Sequence, residues 1–117
     1  MQIQLGVSGS PETSGYTTMT GYVSGTVDNI TRFAVISSGF PLSYATSTAN
    51  LFSGSVVFTL LGSNSWTCTG TIYDANSPSM NIVSGIKSLA GTLNMVRITT
   101  VNGTDTFDAG SINILYE

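Results

Sequence analysis

The chain has 117 residues, three of them basic and six acidic, with no histidine and a single cysteine. That is the length of one domain with a real core, yet its charged fraction of 8% lies far below the ~25% of an ordinary soluble domain. Scattered basic residues cannot neutralise a run of phosphates, which excludes nucleic acid as a partner. No apolar run approaches the ~20 residues of a spanning helix, so no membrane insertion is expected.

The missing charge is replaced by Ser, Thr, Gly and Asn at 41% hydrophobic content, so the chain is not of the disordered class. The opening "MQIQLGVSGS" lacks the basic and apolar regions of a signal peptide, and Gln2–Gly6 within it reads as a strand. "SGYTTMTGYVSG" is a Thr- and Tyr-rich strand bounded by glycines, and "RFAVISSGF" holds a short apolar run from Phe33 to Ile36. "PLSYATSTANLF" comes nearest to a helix, but its Ser/Thr content favours a loop or short turn.

The clearest hairpin is "SGSVVFTLLGSNSWTCTGTIYD", with arms Val56–Leu61 and Trp66–Tyr73 around a turn at Gly62–Ser65. In its second arm Trp66, Cys68 and Ile72 share one face, while Thr67, Thr69, Thr71 and Tyr73 share the other. Period two with threonine on the wet side describes a half-buried antiparallel strand. It makes Cys68 a small buried hydrophobe and Trp66 a core residue. "MNIVSGIKSL" and "GTLNMVRITTV" follow as strands, and "SINILYE" reads as a closing strand with Ile112, Ile114 and Tyr116 on one face. Turn signals about every ten residues indicate an all-β fold, an antiparallel β-sandwich of jelly-roll-like type with little or no helix.

Catalytic chemistry is hard to place. Without histidine the common general base, triad partner and metal ligand are missing, and Cys68 has no base. The acids fall in turns or at strand ends, with no convincing pair for glycoside hydrolysis. The chain is therefore expected not to be an enzyme and to need no cofactor. Asn102, Asp105 and Asp108 in "NGTDTFDAG" are weak candidates for Ca²⁺ ligation; the competing reading is that they build a turn through Asx bonds. "NIT" and "NGT" match the glycosylation triplet, a pattern common by chance in Asn/Thr-rich chains.

"GTLNMVRITTVNGTDTFDAGSINILYE" resembles the segment that closes many tail-fibre, tailspike and related receptor-binding proteins of tailed bacteriophages, a "GTLxxVRxTTVNGTDTFDAGxINxxYE"-like run. "IQLGVSGSPETSGYTT" is similar to that family's entry strand and "GGxETSGY" motif, and "SGSVVFTLLGSNSWTCTGTI" to its central hairpin. Family members carry a further strand pair ahead of the segment equivalent to Gln2–Gly6. Residues 1–117 therefore read as a single β-sandwich domain, the distal tip of a fibre or spike, lacking those preceding strands.

The resemblance implies a homotrimer that joins upstream fibre or spike domains and meets host-surface polysaccharide or lipopolysaccharide. The location it implies is the distal end of the phage tail in the virion, after synthesis in the host cytoplasm. Tyr16, Tyr22, Tyr44 and Tyr73 are the candidate glycan-stacking residues, against ordinary packing for each. Ile112, Ile114 and Tyr116 are the candidate assembly residues, on a final strand expected to lie beside Leu93–Thr100 as an end cap. The alternatives are a structural trimerisation and folding cap without glycan binding, or a small capsid decoration protein.

Overall fold

The computed structural model describes residues 1–25, 30–43 and 50–116, of which 30–33 by backbone alone. Among the described residues nine strands run in the order β1 (Gln2–Val7), β2 (Ser10–Pro11), β3 (Tyr16–Ser24), β4 (Ile30–Ile36), β5 (Phe40–Pro41), β6 (Phe52–Gly62), β7 (Ser65–Asp74), β8 (Ser79–Ser88) and β9 (Met95–Thr99). No helix occurs among the described residues. The strands form two antiparallel sheets, a four-stranded one built on β1 and a five-stranded one ordered β4-β3-β8-β7-β6. They pack as an all-β sandwich.

Local chemistry sets the turns. Ser8 and Gly9 (φ 53° and 74°) link β1 to β2, and Ser63 and Asn64 (φ 48° and 60°) link β6 to β7. Two successive positive φ values are the type I′ geometry whose twist matches a hairpin. At the β7–β8 turn the buried Asp74 carboxylate accepts from the backbone N–H groups of Asn76 and Ser77 at 3.1 and 3.3 Å, and from the Asn50 amide at 2.6 Å. That carboxylate replaces the backbone partners the turn lacks.

The core lies between the sheets. Ile3, Leu5, Phe40, Leu42 and Leu89 meet Tyr16, Cys68, Ile72 and Val83, with Trp66, Val56, Phe58 and Ile98 packed around them. Tyr16 stands edge-on to Phe40 at 5.1 Å, and Phe40 contacts Phe58 at 5.4 Å. Gly85 has to be small: a Cβ there would lie 2.6 Å from Thr18 Cγ2 and 2.9 Å from the Thr17 carbonyl.

The hairpin expected over 56–73 is present with longer arms, and Cys68 and Ile72 point inward as its alternation requires. The closing segment differs. Residues 111–116 form no strand, and β9 pairs with β1, not with the C-terminal run. Ile112, Ile114 and Tyr116 are 68%, 64% and 93% exposed. Beyond the turn at Asn102–Asp105, residues 106–116 are exposed and join no strand. Glu117 lies outside the described residues, and with it any ion pair it could make to Arg97.

One ion pair crosses the fold. Lys87 Nζ meets Glu12 Oε2 at 2.5 Å, with the lysine side chain only 7% exposed and the glutamate 22%. Glu12 Oε1 also accepts from Ala90 N–H at 2.9 Å, and the ammonium lies 5.2 Å from the Tyr16 ring centroid. The bond from Lys87, then that from Ala90, hold the Glu12 carboxyl below its ordinary range. A depressed carboxyl stabilises the fold fully above its unfolded value, ~4.3, and that contribution disappears as pH falls through the folded value. Glu12→Gln should cost about 2–3 kcal/mol, below the ~3–5 kcal/mol of breaking a fully buried pair, because the glutamate is partly wet. Urea unfolding of both proteins at neutral pH checks the size. Repetition between about pH 5 and 3, the range below the unfolded value, should show a shallower loss of stability in the variant.

Candidate interaction face

The five-stranded sheet has two chemically distinct sides. Its inner side carries Thr18, Thr20, Val83, Lys87, Cys68 and Ile72, all buried. On its outer side the register sets Val35 beside Met19, Met19 beside Ser84, Ser84 beside Thr69, and Thr69 beside Val57. The next rows bring Ile82 beside Thr71, Met80 beside Tyr73, and Ile86 beside Thr67. Met19, Val35, Val57, Tyr73, Met80, Ile82 and Ile86 are all at least 41% exposed.

No charged residue belongs to that outer side among the described side chains. The other described residues on it are Leu61 and Ser, Thr, Gly or Val. An apolar and neutral face across five strands is larger than the isolated hydrophobes an ordinary surface carries. At one end it deepens into an open cleft of about 310 Å³, lined by Val23, Tyr73, Pro78 and Met80 together with Ser24, Gly25 and Ser79. A Tyr ring beside small apolar groups is a surface on which a sugar or another ring can stack.

The four candidate tyrosines separate. Tyr16 is buried at 4% exposure, which corrects its assignment to a sugar. Its hydroxyl accepts from Leu5 N–H at 2.8 Å and lies 2.9 Å from the Glu12 carbonyl and 3.2 Å from the Leu5 carbonyl, to which it can donate. Burial pushes its pKa up. Tyr22 is half-buried at the end of β3, opposite Asn81. Tyr44 lies outside the described residues. Tyr73 alone is both exposed and at the cleft.

At the proposed cation site, Asn102 Oδ1 accepts from the Thr100 hydroxyl at 2.7 Å and from the Thr104 and Asp105 N–H groups at 3.2 and 3.4 Å. Its amide donates to Asp105 Oδ2 at 3.0 Å. These bonds build an Asx turn and occupy the oxygen that a cation would need. No group of three acidic or sulfur ligands occurs among the described residues. No family model, curated protein or solved structure matches the chain.

Sequence reasoning missed the outer face as a whole, because Met19, Tyr73 and Ile82 sit on separate strands that only the register brings together. The Glu12–Lys87 pair likewise joins residues far apart in the chain. Cys68 is where the alternation placed it: wholly buried, with its thiol pushed up to about 12 by desolvation. It should therefore resist a thiol-specific reagent at pH 8 in the native protein and react fully in urea, since the thiolate is the reactive form. Comparable rates in both states would show that β7 opens locally.

Proposed function

We propose that this chain is a non-catalytic assembly and recognition domain of the tail-fibre or tailspike kind. Three copies associate through their uncharged faces, and the cleft beside Tyr73 meets neutral glycan on a host surface. The observation that carries the reading is the outer side of the five-stranded sheet, apolar and free of charge across its width. Such a face is poorly suited to water and well suited to a copy of itself or to sugar hydroxyls and C–H faces. The likeness of the closing segment to phage receptor-binding proteins supplies the biological setting. The scarcity of charge supports a neutral ligand, since the surface has little long-range field with which to attract a charged one.

A second reading, a structural cap without glycan binding, is favoured by one observation: burial of Tyr16 leaves Tyr73 as the one candidate ring shown to be well exposed. Light scattering of the full chain at micromolar concentration is expected to give three times the 12.2 kDa chain mass, and a monomer would sink the assembly reading. On an array of neutral bacterial surface glycans the purified protein should bind a subset, and Tyr73→Ala should lower that binding at least tenfold without changing the mass. Silence across the array decides for the cap.

A further inference from the structure

Among the described residues β6 is the outermost strand of its sheet and bonds only to β7. Its eleven residues, FSGSVVFTLLG, contain no Asp, Glu, Lys, Arg or Pro. Natural edge strands usually carry a charge, a proline or a central bulge to prevent pairing with another chain. β6 has none of these along its length, and its one register shift falls at the far end, between Leu60 and Gly62. The opposite edge, β4, contains Arg32, and the short β9 contains Arg97.

The same chain ends in an arm with the complementary deficiency. Residues 106–116 are exposed and join no strand. Ile112, Ile114, Leu115 and Tyr116 are each at least 64% exposed. An extended apolar segment without ladder partners is a strand awaiting a sheet.

We propose that the arm of one copy adds to the free edge of β6 in a second copy, as a sixth strand of that sheet. This rests on the self-association proposed above and adds to its face contact an exchange of strands. Side chains match by period two. Ile112, Ile114 and Tyr116 fall on the side of Val56, Phe58 and Leu60, which the four-stranded sheet covers incompletely; Leu60 remains 52% exposed. Ser111 and Asn113 fall with the outer Ser and Thr residues, and Leu115 with the exposed Val57 and Leu61. The contact joins two different surfaces, so every copy gives an arm and receives one. Only a closed ring then leaves no arm and no edge unpaired.

The test uses the full chain. Differently tagged copies carrying Ile114→Cys are co-expressed with copies carrying Val56→Cys or Leu60→Cys, then oxidised and separated without reductant; buried Cys68, opposite neither position, serves as an unreactive internal control. A disulfide joining the two tags is expected at one or more positions. Ile114→Asp should reduce the oligomer to single chains while the far-ultraviolet β spectrum is kept, since the arm contributes nothing to the core. An oligomer that survives Ile114→Asp and yields no hybrid disulfide overturns the arm exchange but leaves the assembly reading standing. A full chain that is monomeric overturns both. In a single chain that carries both Ile114→Cys and Val56→Cys, a disulfide that forms only within the chain shows that the arm closes on its own β6, and also overturns the proposal.

Discussion

The hydroxyl of Tyr16 holds the two sheets in register. On one edge β1 pairs with β9 over five residues. On the other it is served in two pieces, by β5 at Gln2 and Ile3 and by β2 at Gly6 and Val7. Leu5 falls in the gap between them. Its N–H is taken by the Tyr16 hydroxyl, and its carbonyl accepts from Glu12 N–H at 2.9 Å. Since Tyr16 belongs to the facing sheet, this bond satisfies a buried donor and fixes one layer on the other. A buried N–H left unpaired would cost about 1–3 kcal/mol, so the position is far more constrained than ordinary ring packing requires.

The scarcity of charge gives this core an unusual balance. Gln2 and Gln4 of β1 are buried along with Ile3 and Leu5, so the central strand of the small sheet is enclosed on both faces. Several of the buried polar groups find neutral partners nearby: the Gln4 amide donates to the Ser38 carbonyl at 2.8 Å, and the Ser38 hydroxyl donates to Gln2 Oε1 at 3.1 Å. Thr18 donates to the Ile36 or Gly39 carbonyl, at 2.6 and 3.1 Å. Neutral hydrogen bonds do here what ion pairs do at many protein surfaces, with Glu12–Lys87 as the exception.

Where side-chain type and strand period agree, as in Trp66–Tyr73, the face of every residue was legible in the sequence. In β3 they disagree. Thr18 and Thr20 point inward while Met19 is 46% exposed: the Thr18 hydroxyl finds carbonyl partners inside, and the methionine joins the outer face. Reading Thr as wet therefore put Tyr16 on the wrong side. The closing "SINILYE" shows a different limit: alternation reveals that a segment can be a strand, but not which sheet takes it. The pairing of Glu12 with Lys87 leaves no local signal.

The register also has a consequence in time. Gln2 pairs with Thr99, and Tyr16 with Lys87, so β1 waits for β9, which is made more than eighty residues later. Loop closure over such separations must be met before any contact compensates for it, which places folding of high-contact-order β proteins in the millisecond-to-second range. Until Met95–Thr99 is made, β1 lacks its longest ladder and one wall of the core is absent. The β6–β7–β8 meander, whose neighbours are adjacent in sequence, can form earlier. Synthesis therefore presents a bare sheet first and its cover afterwards.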